Sequence, residues 1–169
     1  MKQTKKITVQ EAVSLVKSND NIVLGMAASE PKLFVTELHK IANRVQNVTV
    51  TSCMPIESAE YLFNAEYKTA FNAATWFYTG ALRKAHKHGN ISFIPNHLHL
   101  ASYKRFQHVK PNIFVCAASL PDRNGFVSLS LSNVYEKDTA RLADIIILEV
   151  NPNFPRTLGD LELHLDQVD

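Results

Sequence analysis

The chain predicts an α/β fold: an open, mostly parallel sheet with helices on both faces and an antiparallel edge strand near its end. Three observations carry this. Ile145, Ile146, Ile147, Leu148 and Val150 form an apolar run interrupted only by Glu149, as expected of a parallel strand covered on both faces rather than of a half-wet one. Short strand-like runs alternate with helical patterns along the chain, which is the order of βα units. Leu161-Glu162-Leu163-His164-Leu165 alternates strictly, the pattern of a strand with one wet face.

The elements follow in order. Thr8-Val9-Gln10-Glu11 has capping-box spacing, and Val9, Ala12, Val13 and Val16 recur at helical intervals, so a first helix starts near Val9 and ends in Ser18-Asn19-Asp20-Asn21. Ile22-Val23-Leu24 is a short buried strand, and Gly25 to Ser29 a loop of small residues. Ser29-Glu30-Pro31 has an oxygen-bearing cap and an early proline that open a helix with the stripe Leu33, Phe34, Leu38 and Ile41. Val48 to Thr51 returns as a strand, closing a βαβ unit of about 30 residues. Phe71 to Trp76 is a strand, and Thr79 caps a helix that Gly89 closes. Ile91 to Ile94 is a strand, Leu98 to Phe106 a helix, and Ile113 to Ala118 a strand. Asp122-Arg123-Asn124-Gly125 is a turn, and Ser132 or Asn133 caps the helix leading to Leu142.

With 169 residues, 46% hydrophobic, 20% charged and five glycines, the chain has the length and composition of one ordinary globular domain spanning 1–169. Its formal charge of +2 and scattered Lys and Arg give no basis for expecting a nucleic acid as partner. No long apolar stretch or signal-like segment follows Met1, so no membrane association and a cytoplasmic location are the expectation. Cys53 and Cys116 lie far apart beside apolar residues and read as reduced thiols.

Ligands of parallel sheets bind beyond the carboxyl ends of the strands. The loop Asn151-Pro152-Asn153-Phe154-Pro155-Arg156 leaves such an end stiffened by two prolines, with a guanidinium expected near the mouth. Gly25 to Pro31 leaves another, where a helix start has N–H groups suited to a carboxylate or phosphate. That turn lacks G-x-G-x-x-G and a Walker lysine, so it implies no dinucleotide or triphosphate site. His86, His88, His97 and His99 form two H-x-H pairs. The first pair sits in a helix's last turn, which favours a dipole role over metal ligation, so no metal site is expected. His97, at a strand end, is the one placed to line a pocket. Trp76, Phe77 and Tyr78 suggest an apolar wall, core packing being the competing role. Ser128, Ser130 and Ser132 alternate on one face but lack a nucleophile elbow, which argues against a serine hydrolase. Glu30 and Glu149 are the carboxylates whose surroundings most favour perturbation.

Gly25-Met26-Ala27-Ala28-Ser29-Glu30-Pro31, Thr79-Gly80-Ala81-Leu82-Arg83-Lys84-Ala85, Phe93-Ile94-Pro95, Pro121 to Ser132 and Glu149 to Gly159 occur in this order. Together they resemble the amino-terminal half of the acetyl-CoA hydrolase/transferase family, which includes 4-hydroxybutyrate and butyrate CoA-transferases. The resemblance implies one of two similar α/β domains in an enzyme where a glutamate attacks an acyl-CoA and passes CoA to a second acid. It also implies that the nucleophilic glutamate and a glycine-rich CoA loop belong to a carboxyl-terminal domain absent from this chain. No residue here is therefore assigned as catalytic, and the chain alone is expected to be inactive. Gly25, Ser29, Glu30, Pro31, His97, Ser128, Asn151, Asn153 and Arg156 are the expected substrate-binding residues. No tightly bound cofactor is expected, coenzyme A thioester being a substrate of the complete enzyme. The expected partners are the carboxyl-terminal CoA-transferase half and a small carboxylic acid, with a homo-oligomer admissible. Two alternatives stand beside this reading: a noncatalytic small-carboxylate-binding or assembly module of the same fold, and a sugar-phosphate isomerase-like enzyme.

Overall fold

In the computed structural model, which describes residues 4–57 and 59–169, six parallel strands form the central sheet. They are β1 (Asn21–Leu24), β2 (Val48–Ser52), β3 (Phe71–Thr75), β4 (Ile91–Phe93), β5 (Ile113–Ala118) and β7 (Ile145–Val150), in the order β4-β3-β2-β1-β5-β7. The chain steps outward from β1 to β4, then returns to the other side of β1 to lay down β5 and β7. The carboxyl ends of β1 and β5 therefore flank the point where the strand order reverses, which opens a crevice in such sheets. Two short strands, β6 (Phe126–Ser128) and β8 (Glu162–His164), pair antiparallel as a separate ribbon. The alternating segment Leu161 to Leu165 thus pairs antiparallel, as its pattern predicts. Its partner is β6 rather than an edge of the main sheet; beside β7, Asp169 N–H donates to Ile146 O at 3.1 Å.

The helices α1 (Val9–Ser14), α2 (Lys32–Glu37), α3 (Glu60–Phe63) and α4 (Gly80–Ala85) cover one face. Ala12, Phe34, Leu62 and Leu82 pack there against Ile22, Leu24, Val50, Phe71 and Val115. α5 (Ala101–Phe106), α6 (Glu136–Leu142) and the ribbon cover the other. Val23, Phe114, Cys116 and Ile146 point to this face, against Ala101, Tyr135, Ala140 and Leu163. Neighbouring residues of one strand thus enter opposite cores, which explains why β5 and β7 read as apolar runs.

Local signals were kept where they were self-contained. Thr8 and Glu11 form the reciprocal capping box of α1, Thr79 Oγ1 accepts from Leu82 N–H, and Gly89 closes the turn after α4 with φ of 79°. Both cysteines are free and buried. Two expected caps differ. α2 starts at Lys32, two residues later than a Ser29 cap suggests, after Pro31 and with no side-chain cap of its own. α6 starts at Glu136, after Tyr135, rather than directly on a Ser132 or Asn133 cap. At α2 a tertiary partner supplies the missing acceptor; at α6 the Asn133 side chain itself accepts, from Lys137 N–H at 3.4 Å. α3 had no periodic signature, being a single turn. No helix among the described residues is long and apolar enough to cross a membrane.

Candidate functional site

A cleft of ≈ 400 Å³ opens at the carboxyl ends of β5 and β7. Ala27, Ala28 and Glu30 enter it from the loop after β1, Lys32 and Leu33 from the start of α2, and Ile56 and Glu57 from the loop after β2. Ala117, Glu149, Val150, Asn151, Pro152 and Phe154 come from the ends of β5 and β7. The sequence segments Gly25 to Pro31 and Asn151 to Pro155, far apart in the chain, therefore meet here because β1 and β7 flank β5.

The first wall is a tight turn. Ala27 holds a left-handed φ of 48°, a conformation that costs a non-glycine residue energy unless its surroundings enforce it. They do: Met26 N–H donates to Glu136 Oε1 at 2.9 Å, Ala27 N–H to Cys53 O at 3.1 Å and Ser29 N–H to Met26 O at 2.9 Å. Gly25 lies beneath, and a Cβ there would sit 2.4 Å from Ser29 O. Ser29 is buried with its hydroxyl donating to Leu129 O at 3.4 Å, so it braces the turn from behind. Pro31 is likewise buried.

Glu136 is the residue that sequence reasoning missed. It is fully buried and its carboxylate accepts from Met26 N–H, Ser132 Oγ at 2.8 Å, Val134 N–H at 2.7 Å and Tyr135 N–H at 3.0 Å. Tyr135 adds a hydroxyl donation to Leu24 O at 2.8 Å. α6 is thereby fastened to the end of β1. Burial, with Glu136's charge adding, pushes the Cys53 thiol up to about 11, so this strand-end thiol stays protonated and unreactive at neutral pH.

Glu30 is 7% exposed and its Oε2 accepts from Ile56 N–H at 2.8 Å and Glu57 N–H at 2.9 Å. Burial raises its carboxyl above the ordinary glutamate range, the two N–H donors oppose this, and the Glu57 charge reinforces it. Glu149 has another task. Its Oε2 accepts from Leu33 N–H at 2.9 Å and Phe34 N–H at 3.2 Å, so the helix start that the sequence offers to an anionic ligand is already occupied by a carboxylate of the same chain. Replacing Glu149 by alanine should cost about 1 kcal/mol, read as a lowered Tm together with faster amide exchange at Leu33 and Phe34. Lys32 Nζ meets Glu57 Oε1 at 3.2 Å across the mouth, an exposed pair of small energetic weight.

The remaining expected residues divide. Asn151 lines the cleft, with its Oδ1 accepting from Asn153 N–H at 2.9 Å; Asn153 shapes that turn while its own side chain faces solvent. Arg156 is not at the mouth. Its guanidinium donates to Phe126 O at 2.9 Å and pairs with Asp122 and Glu162, because the loop turns back onto the ribbon and meets two carboxylates there. Ser128 is buried between Thr157 and Ser130: its hydroxyl lies 3.2 Å from Thr157 O and accepts from Ser130 N–H at 3.0 Å. Ser130 likewise donates to Pro155 O at 2.6 Å, so the serine face clamps the loop and does not line the cleft. His97 is exposed beyond β4, the opposite edge of the sheet, its ring 5.7 Å from that of His99. Trp76 is buried against Tyr135, ring centres 4.9 Å apart, in the core rather than along an acyl wall, and Tyr78 bonds His86.

Comparison with known proteins bears on this arrangement. The family model described as the acetyl-CoA hydrolase/transferase N-terminal domain matches residues 2–169. The chain is 28% identical over 166 residues to the 4-hydroxybutyrate coenzyme A transferase of Clostridium kluyveri, covering 98% of this chain and 38% of that enzyme. It is 26% identical over 159 residues to the succinyl-CoA:cyclohexane-1-carboxylate CoA transferase of Geobacter metallireducens, covering 94% of this chain and 36% of that enzyme. Among solved structures, RipA from Yersinia pestis superposes with a TM-score of 0.89 at 26% identity, over 96% of this chain and 40% of that one. The chain thus spans well under half the length of the relatives it matches.

Proposed function

The chain belongs to the acetyl-CoA hydrolase/transferase family as its N-terminal domain, and from that premise we propose that it forms the acid-binding wall of an acyl-CoA:carboxylate CoA-transferase whose reactive carboxylate lies in a carboxyl-terminal half. Ala27, Ala28, Glu30, Asn151, Pro152 and Phe154 make that wall, with Gly25, Ser29 and Pro31 setting its shape from behind.

The observation that carries this reading is the state of the cleft's own carboxylates. Glu149 is bound to the start of α2 and Glu30 accepts two backbone N–H groups, while Glu136 is enclosed below with four donors. A nucleophile needs an oxygen that can approach a thioester carbon; Glu136 has none, and Glu149 and Glu30 are each fixed through Oε2 to two backbone N–H groups, which suits bracing and ligand binding rather than attack. In the proposed reaction the partner's glutamate oxygen attacks the acyl-CoA carbonyl and expels CoA thiolate, leaving a mixed anhydride. The thiolate then attacks the glutamyl carbonyl, releases the first acid and forms a glutamyl-CoA thioester. The second acid, seated in this cleft, reverses both steps and leaves as its CoA ester. Coenzyme A is throughout a substrate.

Purified 1–169 is expected to show no exchange of CoA between an acyl-CoA and acetate, and to gain it when mixed with a matching carboxyl-terminal half. Turnover by the isolated chain would overturn the assignment of the nucleophile. A chain that binds short carboxylates, yet gains no activity from any matching half, would be the noncatalytic module instead.

A further inference from the structure

Resting on the acid-binding reading, we propose that Glu30 is a specificity-determining residue which selects acids carrying a hydrogen-bond donor on their chain, hydroxy acids, over acids of the same shape that carry only acceptors or a second carboxylate.

The argument starts from an imbalance. Both backbone donors that reach Glu30, the N–H groups of Ile56 and Glu57, go to the same oxygen, Oε2. Oε1 has no hydrogen-bond partner among the described residues, although the residue is more than nine-tenths buried and lines the cleft. Oε1 is not shut off from solvent, and an acid that fills the cleft takes its water away, so the oxygen is left unpaired at a cost unless the ligand itself donates to it. The wall's side-chain donors are Lys32, which pairs with Glu57, and Asn151, and neither is hydrogen-bonded to Glu30; Ala27, Ala28, Leu33 and Phe154 bring none. An N–H or O–H on the ligand can donate to Oε1. A hydroxyl on the chain of a bound acid completes Glu30, whereas a carbonyl or ether oxygen places a lone pair against a lone pair. Sites built to hydrogen-bond a substrate group discriminate strongly against analogues that lack it.

Charge sharpens the choice. Glu30, Glu57 and Glu149 all line the cleft, and its one lysine, Lys32, already pairs with Glu57. A dicarboxylic acid would bring its second carboxylate among like charges, which costs affinity. Family membership does not decide this, since the relatives' names include a hydroxy acid, an alicyclic acid and, as succinyl-CoA, a dicarboxylic one.

The same donor chemistry is present in a second source, the amide N–H groups of the CoA arm, and the experiment separates the two. In the complex of this chain with its carboxyl-terminal half, kcat/KM is measured for matched acceptor acids: 3-hydroxybutyrate against acetoacetate, 4-hydroxybutyrate against 4-methoxybutyrate, and butyrate against succinate. The expected result is a preference of about tenfold or more for the hydroxy acid in at least one of the first two pairs, and for butyrate over succinate. Glu30→Gln keeps an oxygen for the Ile56 and Glu57 N–H groups and turns Oε1 into a donor, so the hydroxy-over-acceptor ratio should fall by about tenfold, towards the acceptor acid. A merely structural role would lower all acids alike and leave the ratio where it was. An unchanged ratio in the variant, or no preference in the unaltered protein, overturns the proposal. A raised KM for the acyl-CoA with unchanged acid ratios assigns the donor to CoA and overturns it too. Absence of all exchange in the unaltered complex removes the transferase reading itself. Should Glu30→Gln fail to fold, as read by its thermal melt, the ligand pairs on the unaltered protein decide alone.

Discussion

Glu136→Leu is expected to destabilise the chain by about 3–5 kcal/mol, the range for removing one partner from a buried charged network. The residue is fully buried. Its loss strands three backbone donors, on Met26, Val134 and Tyr135, and the Ser132 hydroxyl. None of these gains access to water when the carboxylate goes, so each retains its desolvation cost. The amide variant tests the same point by degrees. Glu136→Gln keeps one oxygen but in either orientation turns its NH2 group towards at least one backbone N–H that can only donate, so its loss should fall between that of the leucine variant and zero. Urea unfolding midpoints at constant m-value measure both. A Glu136→Leu midpoint within about 1 kcal/mol of the unaltered protein would sink the claim that this carboxylate holds α6 to the end of β1. The effect should also reach the cleft: freeing Met26 releases the left-handed Ala27 beside it, so the complete enzyme should lose acid binding before it loses its fold.

Gly25→Ala carries the second large effect, about 1–3 kcal/mol or more by overpacking. The added Cβ would lie 2.4 Å from Ser29 O and 2.7 Å from Cys116 Sγ. The sulfur has room to yield only if its own neighbours move, and the carbonyl belongs to the 27–29 turn, whose backbone is fixed by Ala27 N–H to Cys53 O and Ser29 N–H to Met26 O. Combining Gly25→Ala with Cys116→Ala relieves the sulfur contact but not the carbonyl one. The double variant should therefore recover no more than a minor part of the loss. Full recovery would mean that the close approach to Ser29 is soft, and that this glycine is not needed for the cleft's first wall.

Much of the fold was legible because its signals are local or periodic. Residues that alternate between two apolar cores leave an apolar run, so β5 and β7 could be read without knowing their neighbours. Thr8 with Glu11, Thr79, and Gly89 each act within a turn of themselves. α3 escaped notice because four residues have no period. The site was legible in part. Gly25 to Pro31 and Asn151 to Phe154 were recognisable as strand-end loops, and their meeting follows from the order β2-β1-β5-β7. Arg156 and His97 were misplaced for one reason: a side chain's destination depends on the direction its loop takes, and neither loop's direction is encoded in its own residues. Arg156 turns to Asp122 and Glu162, and His97 sits beyond the far edge strand.

By itself the amino-acid order determined the layered sheet, most of its elements and the two loops that face each other across its carboxyl end. These depend on hydrophobic periodicity and on caps a few residues long, which act over distances that the chain cannot avoid. Only the tertiary structure decided which carboxylates are structural. Glu149 closes a helix 116 positions away and Glu136 holds a turn 110 positions away, while Glu30 is left with one oxygen unmatched. A carboxylate looks the same in any sequence; what it does is set by the donors that folding brings to it.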